Sequence, residues 1–342
     1  MLCILADDLT GALDSAAPFA GRGLHTEVAL TPEGIEPALA EHPDVLSIDL
    51  ACREKTEQET RRLAADAVRR LPAGAKVFIK IDSRLKGNVA AMLDAIAFGQ
   101  ALVAPAIPEF NRVVSNGAVR GFGVETPIDI AASLGRHAAR SRVPDTASQA
   151  DMDAALAEAE RADVDLWVGA RGLAEALAKA WNGNRQPVAA AIPAGRALFV
   201  IGSRDPITLQ QIDRLNQSAD IDDRPAENGH LEKNDVIGRD VTLVRAVEGP
   251  VICPAVDVSQ HLAEGVVPRL TDQVETLLLC GGATAEAVLH RMGIHRLRLL
   301  GECLPGLGLA QSGRHCIIAK SGGFGQPDTL KDIATTILGK TG

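Results

Sequence analysis

Along this 342-residue chain, short β-favouring runs of about five residues alternate with longer amphipathic or alanine-rich segments. That alternation constrains the fold more than any other feature, because parallel neighbouring strands need a helical crossover between them. Strands are expected at residues 3–6, 26–30, 45–48, 77–81, 102–104, 166–168, 197–201, 251–253, 276–279, 297–300 and 316–319. Helices are expected at 57–71, 89–98, 151–161, 173–181, 206–216, 285–292 and 330–338. The class is therefore α/β, built on open, mostly parallel sheets flanked by helices.

The chain is long enough for two domains, each with its own core. The stretch NGNRQPVAAAIPAG, residues 182–195, joins turn residues and two prolines to small apolar residues and reads as the linker. It separates a domain at 1–190 from one at 196–342. The charged, aperiodic DIDDRPAENGHLEKND, residues 220–235, reads as an exposed loop.

A formal charge of −9 without a basic run excludes a broad nucleic-acid surface. No run of about 18 apolar residues occurs, and acidic residues interrupt the N-terminus before a signal-length stretch develops. A cytoplasmic chain with no membrane partner is expected. The six cysteines form no C-x-x-C pair and read as buried reduced thiols, and no metal cage built directly from protein ligands is expected.

Polar residues gather where strands end. In ILADDLTGALDSA, from Ile4, two aspartates follow a buried run. Thr10 is a good N-cap for a helix beginning near Gly11, which leaves Asp7 and Asp8 without a structural duty. Strand alternation sends them to opposite faces, where sugar hydroxyls, a metal-bound water or Lys80 would each meet their need for donors. In VFIKIDSRLKGN, Lys80 and Asp82 share a strand face about 7 Å apart. They form either a salt bridge on a solvated face or part of a ligand site at a sheet's carboxyl edge. Ser83, Arg84, Lys86, Gly87 and Asn88 continue as a polar turn, with Asn88 a fair N-cap for the next helix. Arg53, in LACREKT, offers a fork that suits a carboxylate, or is simply a surface arginine. Asn111 and Arg112 occupy a further polar loop after a strand.

In the second half, three strand-to-helix turns are rich in small residues: Gly202-Ser203, Gly281-Gly282-Ala283-Thr284, and Ser321-Gly322-Gly323 with Gly325. One such turn is usually only a tight turn; three together point to a nucleotide, whose phosphates backbone N–H groups can approach. No G-x-x-x-x-G-K-[ST], G-x-G-x-x-G or G-x-S-x-G sequence occurs, which argues against a P-loop enzyme, an ordinary nicotinamide-binding domain and an α/β-hydrolase.

The segments ILADDLTGALDSAAPFAGRGL, KIDSRLKGNVAAMLDA, VIGSRDPITLQQIDRL, LLLCGGATAEAVL and AKSGGFGQPDTL resemble, in order, the signature segments of the four-carbon acid sugar kinases. The resemblance implies an acid-sugar-binding domain followed by a nucleotide-binding domain, with the active site in the cleft between them. It implies that ATP, with Mg²⁺, phosphorylates the terminal hydroxyl of a threonate, erythronate or 3-oxo-tetronate type acid. Carried over, it places Asp7, Asp8, Thr10, Arg53, Lys80, Asp82, Ser83, Lys86, Gly87 and Asn88 around the acid, with Arg53 on its carboxylate. Asp8, Lys80 and Asp82 become the catalytic set, with Asp8 or Asp82 as base. ATP falls to Ser203, Gly281, Gly282, Ala283, Thr284, Gly322, Gly323 and Gly325. The chain departs from the family pattern at Arg84, where threonine is usual, at Lys86, where arginine is usual, and at Ala283, where an acidic residue is common. The expected partners are a small sugar acid and ATP, and a homodimer is compatible with the sequence. Competing readings are a binding protein of the same fold that lacks transfer, and an oxidoreductase, which would need the missing dinucleotide fingerprint.

Overall fold

The alternating pattern becomes alternating strands and helices in the computed structural model, which describes every residue except 184, 219, 233–235 and 342. The chain divides into two units, Met1–Val188 and Ala189–Gly342. Residue 184 of the expected linker and residues 233–235 of the expected loop lie outside the described residues.

The first unit holds strands β1 (Leu2–Ala6), β2 (Thr26–Ala29), β3 (Val45–Asp49), β4 (Lys76–Lys80), β5 (Ala101–Ala104), β6 (Arg112–Ser115), β7 (Ala118–Gly121), β8 (Ile128–Asp129), β9 (Ser141–Arg142) and β10 (Leu166–Gly169). Its helices are α1 (Leu9–Gly21), α2 (Ile35–Ala40), α3 (Glu57–Arg70), α4 (Val89–Leu93), α5 (Ile130–Leu134), α6 (Gln149–Arg161) and α7 (Arg171–Trp181). The main sheet runs β2-β3-β1-β4-β10-β5-β9, every neighbouring pair parallel. A small antiparallel sheet, β6-β7-β8, is inserted after β5.

β1 is buried along its whole length, as befits a parallel strand covered on both faces. Ala6 is in register with Asp49 of β3 and Lys80 of β4, and Lys80 with Gly169 of β10. These strands therefore finish level. The residues that follow each of them emerge at one edge, beside the strand where the sheet order reverses, which is where open α/β sheets bind ligands. The helix expected over residues 89–98 stops at Leu93. Beyond it the Asp94 carboxylate is taken up by Arg61, Arg136 and His137, a tertiary network that local propensity does not report.

The second unit holds β11 (Ala197–Ile201), β12 (Asp222–Glu227), β13 (Val241–Val247), β14 (Thr276–Cys280), β15 (Arg296–Leu304), β16 (Leu307–Ser312) and β17 (His315–Lys320). Its helices are α8 (Pro206–Ser218), α9 (Ala255–Val266), α10 (Gly282–Arg291) and α11 (Thr329–Thr341). The order is β12-β13-β11-β14-β17-β16-β15, parallel through β17 and antiparallel beyond it. Phe199, Leu243, Leu278 and Ile318 pack on Ile212 and Leu215 of α8 and on Ile333 and Ile337 of α11.

Two expectations fail here. Residues 251–253 form no strand, and Ile252 is fully exposed. Pro250 and Pro254 bracket that short run, and prolines lack the N–H a ladder needs. The strand is β13, whose alternation is masked by Thr242 and Arg245; Arg245 pairs with Asp223. The charged stretch expected as a loop contributes β12, an edge strand, where charge and Pro225 are tolerated because one side has no partner strand. Among the described residues no helix is long and apolar enough to cross a membrane.

Candidate active site

At the carboxyl edge of the first unit's sheet, Asp8 rather than Thr10 caps α1. Asp8 has extended backbone, and its Oδ1 accepts the Gly11 N–H at 2.8 Å. Thr10 lies inside the helix and donates its hydroxyl to Asp8 Oδ2 at 2.8 Å. The helix starts early because an aspartate in extended conformation is the better cap. Nor do Asp7 and Asp8 diverge to opposite faces. The strand ends at Ala6, alternation ends with it, and both carboxylates turn onto Arg53. Arg53 Nε and Nη2 each donate to one oxygen of Asp7 at 2.8 Å, and Nη1 donates to Asp8 Oδ2. The backbone N–H groups of Cys52 and Arg53 both donate to the Asp7 carbonyl, fastening the loop after β3 to the end of β1. Arg53, expected to meet an acid's carboxylate, is thus engaged by the protein's own.

Lys80, the last residue of β4, is buried with its Nζ 3.8 Å from Asp14 Oδ1. Gly11 makes this approach feasible, since a Cβ there would lie 2.5 Å from Asp8 Oδ1 and 2.8 Å from Lys80 Nζ. Burial works against the Lys80 charge, but Asp14, Asp7 and Asp8 outweigh it and raise its pKa. Burial raises Asp7 against the pull of Arg53, and pushes Asp14 up to about 6 against the pull of Lys80. Asp14 was not among the expected site residues. Its position three residues after Gly11, on the same face of the helix, was the available signal.

Asp82 opens the next turn, where its Oδ1 accepts the backbone N–H groups of Arg84 at 2.9 Å and Lys86 at 3.4 Å. Burial opposes its charge, but Arg53, those N–H groups and Lys80 hold its pKa below the usual carboxylate range. Ser83 is buried and accepts Arg112 Nη1 at 2.6 Å. Gly87, at φ +85°, packs on Arg53, whose carbonyl oxygen would lie 3.4 Å from a Cβ at that position. Lys86 is exposed. Asn88 makes no side-chain cap; its Nδ2 donates to the Lys55 carbonyl at 2.7 Å and to Thr60 Oγ1 at 3.2 Å, because α3 supplies better partners. Asn111 has left-handed backbone, ends a short 3₁₀ turn and is exposed.

In the second unit the ends of β11, β14 and β17 bring the three small-residue turns together. A Cβ on Gly322 would lie 2.1 Å from Ser203 Oγ, one on Gly202 2.0 Å from Thr284 Oγ1, and one on Gly281 3.4 Å from Ser203 N. Gly281, at φ +105°, precedes α10 and supplies no side-chain cap to its first-turn N–H groups. Gly282 and the exposed Ala283 belong to that turn. Gly323 lies against Asp205, and Gly325 packs on Thr329 and Gln211. This is a backbone cradle with a helix N-terminus, suited to phosphate. Sequence reasoning passed over Lys320, which ends β17 as Lys80 ends β4. Its buried Nζ donates to the carbonyls of Ser321 at 3.1 Å and Gly322 at 3.3 Å and to Thr208 Oγ1 at 3.3 Å. Burial lowers its pKa. A depression of about 620 Å³ lies at the opposite, amino edge of this sheet, lined by residues including Pro268, Arg291 and His315, away from all of these groups.

Family models match residues 2–129 as a sugar-binding N-terminal domain and residues 241–330 as a nucleotide-binding C-terminal domain. The chain is 29% identical to the D-threonate kinase of Cupriavidus necator, over 96% of this chain and 95% of that one. It is 27% identical to the D-threonate kinase of Bordetella bronchiseptica, over 98% and 96%. Its fold matches the crystal structure of a protein from Salmonella typhimurium LT2, with a TM-score of 0.74 at 20% identity over 97% and 98% of the two chains. It matches a Haemophilus influenzae protein with a TM-score of 0.71 at 18% identity over 99% of each. At those identities the two structures speak for the fold alone. The N-terminal match spans the carboxylate, lysine and arginine cluster, and the C-terminal match spans two of the three glycine-bearing turns. The chain belongs to the four-carbon acid sugar kinase family.

Proposed function

We propose that this chain uses ATP to phosphorylate the terminal hydroxyl of a four-carbon sugar acid of the threonate, erythronate or 3-oxo-tetronate type. The observation that carries the reading is the cluster of Asp7, Asp8, Arg53, Lys80 and Asp82, with Asp7 and Lys80 buried, at the carboxyl edge of a unit matched as sugar-binding. The names of its D-threonate kinase relatives support the same reaction class.

Phosphoryl transfer asks a protein chiefly for in-line placement and neutralisation of charge, and placement alone contributes on the order of 7–11 kcal/mol. Of the two aspartates considered as base, Asp8 has both oxygens engaged by the helix cap, Thr10 and Arg53. Among the described residues Asp82 accepts hydrogen bonds through Oδ1 alone, which leaves Oδ2 able to accept one from the acceptor hydroxyl. Held below the usual carboxylate range, Asp82 stays ionised and orients the hydroxyl before taking its proton. Lys80 and Arg53 keep the surrounding carboxylates in place. The cradle of Gly202, Ser203, Gly281–Thr284, Gly322 and Gly323 suits the phosphates of ATP, because Gly202 and Gly322 let the three turns close on Thr284 and Ser203, while Gly282, with nothing near its Cβ position, leaves the N-terminus of α10 open to a phosphate. Mg²⁺ travelling with ATP would supply charge neutralisation there and would need few ligands from the protein. A cytoplasmic location belongs to the same reading, since ATP is available there.

The test is an ATP-consumption screen over the stereoisomers of threonate, erythronate and their 3-oxo forms, with the phosphorylated carbon located by phosphorus NMR. Asp82→Asn is expected to lower turnover about 10²- to 10⁴-fold with ADP affinity retained. Unchanged turnover removes Asp82 from the mechanism. No product from any four-carbon acid overturns the substrate class, and thermal stabilisation by the acids without ADP formation points instead to a binding protein.

A further inference from the structure

Arg84 and Arg112 meet over an open point in the first unit. The position a Cβ on Gly123 would occupy is 3.0 Å from Arg112 Nη2 and 4.0 Å from Arg84 Nη1, and Gly123, at φ +74°, leaves it empty of side chain. Arg112 is locked in place: Nη1 donates to Ser83 Oγ, and Nε and Nη2 donate to the Phe122 carbonyl at 3.0 and 2.9 Å. The Arg84 guanidinium has no partner among the described residues, although its backbone N–H is fixed on Asp82. A guanidinium carries five donors, so Arg84 has all of its own unused and Arg112 has two left over. Two cations held this close, neither hydrogen-bonded to a carboxylate among the described residues, repel each other until an anion joins them. Burial and the neighbouring Arg84 both lower the Arg112 pKa, which is the signature of that unmet charge.

The charge distribution decides where an acid's carboxylate goes. Around Arg53, three cations, Arg53, Lys80 and Arg171, face three carboxylates, Asp7, Asp8 and Asp14. That region offers a further anion no excess of positive charge once Asp14 is ionised. Among the described residues, the 82–88 turn and β6 bring three cations, Arg84, Lys86 and Arg112, together with one carboxylate, Asp82. We infer that Arg84 and Arg112 together form the seat for the carboxylate of the sugar acid, with Arg84 as the residue that sets preference for an acid over a neutral polyol. Asp82, between this seat and Arg53, then lies beside the hydroxyl-bearing carbons. The inference rests on the proposed acid substrate and names the group that recognises it, in place of Arg53.

Isothermal calorimetry on the full chain tests it, using D-threonate and D-erythronate as acids, threitol and erythritol as neutral counterparts, and ADP as the control ligand. Arg84→Gln is expected to weaken the acid about 10- to 100-fold, because it removes charge-assisted hydrogen bonds, while leaving the polyols and ADP unchanged. Arg84→Lys, which restores charge without the fork, is expected to recover part of the loss. Acid affinity within twofold of the parent in Arg84→Gln overturns this inference and leaves the kinase reading standing. An equal loss of acid, polyol and ADP also overturns it, since the effect is then not specific to the carboxylate. A parent chain that binds neither acid overturns both readings.

Discussion

Replacing Arg53 with methionine isolates the interaction on which the first unit's site is built. Arg53 donates two hydrogen bonds to Asp7, which is 3% exposed, and one to Asp8. Deleting one partner of a buried ion pair costs about 3–5 kcal/mol, because the other charge stays buried without it. Arg53 itself is 20% exposed, so water recovers part of that, and a loss of about 2–4 kcal/mol is expected at pH 8. The sign of the pH dependence follows from Asp7, whose pKa burial already raises. Without Arg53 it rises further, so the penalty is full above the folded value and fades as pH falls and Asp7 takes a proton. Arg53→Met combined with Asp7→Asn is expected to regain most of the loss, since neutralising both members of such a pair is often nearly neutral. The assay is urea unfolding followed by tryptophan fluorescence. Both tryptophans of the chain, Trp167 on β10 and Trp181 at the end of α7, belong to the first unit, so the signal reports that unit. A loss below about 1 kcal/mol at pH 8, or a double variant no more stable than the single one, refutes the reasoning.

Two further perturbations separate the units. The folded pKa of Asp14, about 6, lies above its ordinary value, so its ionisation opposes folding fully above that pH and not at all below the ordinary carboxylate range. Asp14→Asn is therefore expected to stabilise the first unit by about 1–2 kcal/mol at pH 8, discounted for partial exposure, and to leave it unchanged near pH 4. Destabilisation at pH 8 by the same fluorescence signal contradicts this. Gly322→Ala places a methyl 2.1 Å from Ser203 Oγ and 3.0 Å from its Cβ, so the two turns must separate. ADP affinity by calorimetry is expected to drop at least about tenfold with the tryptophan transition unmoved, and an unchanged affinity removes Gly322 from the nucleotide cradle.

Much of the site was legible as residues at strand ends, but their partners were not. Asp7 and Asp8 stood out because two carboxylates followed a buried strand, yet the reading that sent them to opposite faces applied strand alternation one residue past the strand. Helix capping was misassigned to Thr10 for the same reason: the boundary fell between Asp7 and Leu9, and only the backbone angles at Asp8 reveal it. Arg112 was visible as one polar residue in a loop. Its meeting with Arg84 depends on β6 folding back beside the turn after β4. Residues 251–253 show the opposite failure, a β-favouring triplet that the flanking prolines exclude from the sheet.

The sequence by itself determined the α/β class, the two-part organisation as an expectation, the carboxylates and Lys80 at strand ends, and the three small-residue turns. These are local properties: strand and helix periods, glycine's backbone freedom and side-chain charge act within a few residues of one another. Tertiary structure alone decided that Arg53 closes on Asp7 and Asp8, that Lys80 meets Asp14 past Gly11, and that Gly322 sits against Ser203. Those contacts join segments far apart in the chain, and the level register of β1, β3 and β4 in one sheet, and of β11, β14 and β17 in the other, is what brings their ends together.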